Sequence, residues 1–174
     1  MKNIILCGLI GTGKTTIAKQ YSEKFGYEYI DLYDVLNLDI NDDDKEYASK
    51  FLKDEIDNYL IKKTTDKCII DCNYLILPQD FVNYNSNKYY EIIYLGFNDI
   101  DVNMLFEKFS NDYEKKNINY DTVELKKKLF YFNEISKKVY NDCKKYNYKY
   151  FDINKDKKSV LEEISEYMNL LIER

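Results

Sequence analysis

Gly8, Gly11, Thr12, Gly13, Lys14, Thr15 and Thr16 stand in the run Gly-Leu-Ile-Gly-Thr-Gly-Lys-Thr-Thr, which satisfies the pattern G-x-x-x-x-G-K-[ST] in full. Each residue type answers a need of phosphate binding. Glycines let the backbone wrap an anion without Cβ clashes, and successive N–H groups at the start of a helix then point at it. Lys14 supplies a cation to bridge the β- and γ-phosphates, and Thr15 a hydroxyl for Mg²⁺. The flanks are those the motif requires: Ile4-Ile5-Leu6-Cys7 reads as a buried strand and Thr16-Ile17-Ala18-Lys19-Gln20-Tyr21 as an amphipathic helix. These residues imply a bound nucleoside triphosphate. No Asn-Lys-x-Asp guanine motif is visible, which turns the reading toward ATP.

Composition narrows the chemistry that can accompany that motif. The chain contains no histidine, so any proton transfer must use a carboxylate, a lysine or water. Cys7, Cys68, Cys72 and Cys143 lack the spacing of a metal knuckle and read as reduced core thiols. A net charge of −5 argues against a general polyanion binder, so nucleic acid is a disfavoured partner. Arg174 is the only arginine among 26 basic residues. At 174 residues and 45% hydrophobic, the chain suits one domain spanning 1–174. The apolar stretch at 4–10 runs straight into the glycine loop, and no run approaches transmembrane length. A soluble, cytoplasmic monomer or homodimer is expected, with no membrane partner.

The elements that must position the motif alternate. Strands are expected at residues 2–7, 27–31, 67–71, 89–96 and 148–153. Helices are expected at 14–25, closed by Gly26, from Asp34 onward, from Asp42 to about Lys63, at 99–112, at 121–146 and at 159–172. Pro78 is expected in a loop. Such alternation specifies an α/β fold, a parallel sheet covered on both faces with ligands at the carboxyl ends of the strands. The polar connector at 110–120, rich in Asn, Lys and Tyr, is the expected mobile lid, within about 107–121.

The opening Gly-Leu-Ile-Gly-Thr-Gly-Lys-Thr-Thr-Ile-Ala-Lys, with Lys24-Phe25-Gly26-Tyr27 and Tyr29-Ile30-Asp31, resembles small P-loop kinases such as shikimate, gluconate and nucleoside monophosphate kinases. The resemblance implies a three-layer α/β/α P-loop fold with a five-stranded parallel sheet in the order 2-3-1-4-5 and a short lid. It also implies an ATP- and Mg²⁺-dependent transfer of the γ-phosphoryl group to a small-molecule or nucleotide acceptor. By the same resemblance Asp71 orients Mg²⁺ beside Thr15, and Asp31 or Asp34 binds or deprotonates the acceptor hydroxyl. The glycine-rich acceptor loop and the acceptor-binding arginines of shikimate kinases have no counterpart here, which turns the reading away from shikimate itself. Tyr113 and the segment 154–157 are the expected neighbours of the adenine.

On a helical wheel for 121–146, Lys126, Lys127, Lys137, Lys138, Lys144 and Lys145 form one stripe, opposite Leu125, Leu129, Phe132, Ile135, Val139 and Cys143. The stripe reads as a solvated face. Lys128 falls at about 200°, among the apolar positions, at 100° per residue. It is therefore expected to point inward or toward the cleft. Lys128-Leu129 is similar in placement to the arginine-leucine pair that follows the lid in adenylate-kinase-like enzymes, which implies a contact to transferring phosphate. Lys108, Lys115 and Lys116 are looser candidates for the same task. Two other readings stay open: a polynucleotide or RNA end kinase, supported by the lysine stripe, and a nucleotide-binding switch protein without an acceptor.

Overall fold

The computed structural model describes residues 3–36, 67–72, 76–84, 90–154 and 157–173. Strand β1 (Asn3–Gly8) runs into helix α1 (Lys14–Phe25), followed by β2 (Glu28–Asp31) and the short α2 (Leu32–Leu36). After β3 (Cys68–Asp71) come a 3₁₀ helix (Pro78–Tyr84) and β4 (Tyr90–Gly96). Helices α3 (Val102–Lys115) and α4 (Thr122–Tyr146), strand β5 (Lys149–Asp152) and helix α5 (Lys157–Glu173) complete the chain.

The five strands form one parallel sheet in the order β2-β3-β1-β4-β5, as the resemblance implied. Strand β1 sits at the centre because it can be buried on both faces. Ile4, Ile5, Leu6 and Cys7 are all fully enclosed, each large aliphatic side chain contributing about 1.5–3 kcal/mol by leaving water. On one face Ile4, Leu6, Ile69, Ile93 and Leu95 pack with Ile17, Ala18 and Tyr21 of α1 and with Val160, Ile164 and Met168 of α5. On the other, Ile5, Cys7, Ile70, Ile92 and Tyr94 pack with Val139 and Cys143 of α4. All four cysteines are buried free thiols, in agreement with their spacing.

Local chemistry explains most boundaries. Gly26 ends α1 in the left-handed conformation, its N–H donating to the Ser22 carbonyl. Asp121 caps α4 by accepting from the N–H groups of Val123 and Glu124 at 2.8 and 2.9 Å. The helix expected from Asp99 instead begins at Val102. Asp99 is in the left-handed region at φ 56°, and Asp101 is the cap, accepting from Asn103 N at 2.6 Å. That helix also runs on through Lys115, so half of the expected connector is helical and only 116–121 joins α3 to α4. Pro78 opens the 3₁₀ helix rather than sitting in a loop, a position that suits a residue with no N–H to give. The helix expected from Asp42 to Lys63 lies outside the described residues.

Candidate active site

The phosphate loop is held from below and open above. At Gly8, where φ is 132°, a Cβ would stand 1.9 Å from the Leu95 carbonyl oxygen, so the loop leaves β1 pressed against the neighbouring strand β4. A Cβ at Gly11 would meet the Phe109 ring at 3.0 Å. Gly13 precedes α1 in the left-handed conformation at φ 88°, and a Cβ there would meet nothing within 4 Å. The loop is thus a cradle whose floor is protein and whose open side faces the first turn of α1. Such a turn presents unsatisfied N–H groups and the positive end of the helix dipole, which suits an oxyanion.

Leu9 is buried and anchors the loop through its backbone. Its carbonyl accepts from Thr12 Oγ1 at 2.8 Å and from Lys14 Nζ at 2.9 Å. Lys14 is only 8% exposed. Burial holds its pKa below the ordinary lysine value, while the carboxylate of Asp71 pulls the other way, with smaller help from Cys7, Cys72 and Asp31. A polyanion would replace that desolvated setting by direct charge pairing.

Thr15 Oγ1 donates to Asp71 Oδ2 at 2.5 Å, joining the first turn of α1 to the carboxyl end of β3. Burial raises the pKa of Asp71, opposed by the Thr15 hydrogen bond and by the charge of Lys14. A hydroxyl and a carboxylate so placed are hard oxygen donors, the kind Mg²⁺ takes when substrate phosphates and water complete its shell. Thr15 and Asp71 therefore fit the ion, and would hold it. Among the described residues no cluster of three or more acidic, cysteine or histidine side chains could hold a metal ion.

Asp31 and Asp71 are Cα partners in the pairing of β2 with β3, so both carboxylates leave the sheet at one level. Asp31 is half-buried and accepts from Tyr29 Oη at 3.3 Å. Asp34 is exposed and lies inside α2, which starts at Leu32, two residues earlier than expected. Asp34 is thus not the residue that starts this helix. Sequence reasoning missed Tyr29. A tyrosine in an alternating strand signals only a half-buried face; its i, i+2 spacing puts it on the face of Asp31, and the register with β3 then sets Asp71 beside that carboxylate.

Lys128 is exposed, so of the two expected directions, inward or toward the cleft, the inward one is corrected. The reason lies in two polar residues: Asn133 and Ser136 are buried, so the centre of the buried arc of α4 falls near about 280° on the wheel and leaves about 200° at its margin. Lys126, Lys127, Lys138, Lys144 and Lys145 are exposed, as the wheel required, and Lys137 is half-exposed beside Glu134. Tyr113 packs edge-on against Phe109 and Tyr120, with centroids 6.4 and 5.5 Å apart, a row of rings that begins under Gly11. Lys108 Nζ lies 4.4 Å from the Phe97 ring centroid, while Lys115 and Lys116 are exposed at the end of α3. Thr16 is exposed. Of the segment expected near the adenine, Asn154 is exposed and 155–156 lie outside the described residues.

No family model matches the chain. It is 36% identical over 70 residues to a shikimate kinase of Thermodesulfovibrio yellowstonii, a match spanning 38% of this chain and 40% of that relative's own length. A shikimate kinase of Staphylococcus epidermidis is 28% identical over 150 residues, 76% of this chain and 82% of the relative. Among solved structures, shikimate kinase from Bacteroides thetaiotaomicron aligns over 98% of both chains with a TM-score of 0.59 at 18% identity. Deoxyadenosine kinase from M. mycoides with bound dATP aligns over 97% of this chain and 100% of its own, with a TM-score of 0.54 at 18% identity. In phosphate loop, strand order and fold over nearly the whole described chain, this protein resembles the small P-loop kinases.

Proposed function

We propose that the chain is an ATP- and Mg²⁺-dependent phosphotransferase acting on a hydroxyl of a small acceptor. The observation that carries this reading is the meeting of Lys14, Thr15, Asp71 and Asp31 at the carboxyl ends of β1, β2 and β3: a cradle for phosphates, a metal pair and a further carboxylate in register beside it. Bound Mg²⁺ supplies charge neutralisation on the phosphates. The remaining tasks fall to the chain. The N–H groups of the loop and Lys14 bind and orient the triphosphate. Asp31 accepts the proton of the acceptor hydroxyl as its oxygen bonds to the γ-phosphorus, and the bond from that phosphorus to the bridging oxygen breaks to release ADP. Asp31 is preferred to Asp34 for this role because it is the one in register with Asp71.

The acceptor class follows from charge. The carboxylates assigned to the acceptor, Asp31 or Asp34, are anionic, and the sole arginine of the chain is Arg174, so a neutral polyol, sugar or nucleoside is better matched than a carboxylate or phosphate monoester. The test is ADP release with a panel of shikimate, gluconate, deoxyadenosine, glucose, a nucleoside monophosphate and a 5′-hydroxyl oligonucleotide. Turnover that depends on a neutral member of the panel and falls at least about 100-fold in Asp31→Asn is the expected result. ADP release indifferent to every acceptor would instead support a nucleotide switch. The oligonucleotide tests the polynucleotide reading, which the exposed lysines of α4 favour together with Phe130, itself 60% exposed among them. Against that reading, Lys126 and Lys144 lie over the rings of Phe106 and Tyr140 in the chain itself, 4.9 and 4.1 Å from their centroids.

A further inference from the structure

We propose that Tyr29 is a positioning residue of the transfer reaction, its phenol holding the carboxylate of Asp31 in the orientation that receives the acceptor hydroxyl. The inference rests on the proposed phosphotransferase reading and adds to it a residue that acts through Asp31.

Tyr29 precedes Asp31 by two residues on β2, so both side chains leave the same face of the strand. Across the pairing, Tyr29 lies opposite Ile69 and Asp31 opposite Asp71. Two carboxylates directly opposite on neighbouring strands repel one another. Donors in this structure answer that repulsion, and the Tyr29 phenol, which also lowers the pKa of Asp71 by hydrogen bonding, stands between the two carboxylates. Thr15 Oγ1 gives its hydrogen to Asp71 Oδ2 at 2.5 Å, Tyr29 Oη gives its hydrogen to Asp31 Oδ2 at 3.3 Å, and the Lys14 ammonium attracts both carboxylates.

The ring has its own support, which frees the hydroxyl for this task. Lys19 Nζ of α1 lies 5.1 Å from the Tyr29 ring centroid, and the ring packs at the margin of the cluster formed by Ile4, Ile69 and Ile17. The phenol is therefore aimed by packing, and Asp31 is aimed by the phenol. A misplacement of about 1 Å in a reacting group can cost about 100-fold in rate.

The test compares wild type, Tyr29→Phe, Asp31→Asn and the double variant, using whichever member of the acceptor panel named above wild type turns over fastest. Phenylalanine keeps the ring, the packing and the stacked lysine, and removes only the hydroxyl. The expected result is a kcat lowered about five- to fifty-fold, an ATP KM within about twofold of wild type, and a melting temperature within about 2 °C. In the Asp31→Asn background the same change should alter kcat by less than about twofold, because a residue acting through Asp31 has nothing left to position. Full kcat in Tyr29→Phe, or losses that multiply in the double variant, would overturn the inference while leaving the phosphotransferase reading in place. A wild-type chain inactive on the whole panel would overturn both.

Discussion

Asp71 carries the sharpest conflict between stability and function in this molecule. Burial raises its pKa, and the Thr15 hydrogen bond and Lys14 only partly oppose that. For a group whose folded pKa is raised, the stabilising contribution is present below the unfolded pKa and is lost as pH rises through the folded value. Ionised Asp71 is therefore kept at a cost in stability, which a bound cation would offset. Asp71→Asn keeps an acceptor for Thr15 and removes the charge. In EDTA its melting temperature should match or exceed wild type at pH 8, with the advantage shrinking toward pH 4, while acceptor-dependent turnover falls about 100-fold or more. Thermal scans at both pH values beside an ADP assay would check it, and a variant less stable at pH 8 would show that the carboxylate is structural. Lys14→Ala should behave similarly: a buried cation is lost, turnover falls about 100- to 1000-fold, and the fold remains. The loop residues were readable from the pattern alone because backbone geometry dictates them. Tyr29 was not: its i, i+2 spacing from Asp31 put both on one face of β2, but nothing in the pattern marked that face as the one beside the phosphate loop.

At the scale of elements, the junction from β1 through the loop to α1 makes contrasting demands on its glycines. Gly8→Ala would place a methyl group 1.9 Å from the Leu95 carbonyl, and backbone cannot yield as a flexible side chain can. Loss of several kcal/mol, or failure to fold, is expected. Gly13→Ala meets nothing within 4 Å and should cost only about 1–2 kcal/mol for its left-handed conformation, while a methyl group on the open side of the cradle weakens nucleotide binding. Denaturant unfolding and nucleotide titration of the pair would distinguish them; equal destabilisation would contradict the close approach at Gly8. Helix α4 shows where pattern reading stops. Leu125, Leu129, Val139 and Cys143 are buried as the wheel required, yet buried Asn133 and Ser136 count as polar in any hydropathy pattern, and leaving them out tilted the inferred face toward Lys128. The phosphate contact implied for Lys128 by the resemblance would have to be made from an exposed position, next to Leu129, which shares a buried cluster with Leu9 of the loop. Lys128→Met should lower turnover about tenfold without changing the melting temperature. An unchanged rate would move the lid cation to Lys108, Lys115 or Lys116.

For the whole molecule, alternating strands and helices made a parallel α/β sheet legible, while the order β2-β3-β1-β4-β5 came only from the resemblance to small P-loop kinases. The apolar cluster that joins the phosphate loop to α3 and α4 was not legible, because it is made by residues far apart in the chain. Leu9 of the loop, Phe97 beyond β4, Leu105 and Phe109 of α3, and Leu125 and Leu129 of α4 form one buried cluster. Through it the phosphate cradle is continuous with the α3–α4 pair, and the Phe109–Tyr113–Tyr120 ring contacts carry that continuity to the connector. A ligand that orders the loop should therefore order these helices as well. MgATP at about 100 times its Kd should stabilise the chain by about 2.7 kcal/mol, which for a chain of this size raises the melting temperature by about 5–10 °C. Amide exchange should slow in residues 8–17 and also in 105–129. Lys14→Ala should lose both effects at the same concentration. Protection confined to the loop, with α3 and α4 unchanged, would show that the cluster is only a floor. Protection that spreads to the connector would support 116–121 as the closing segment of the proposed lid.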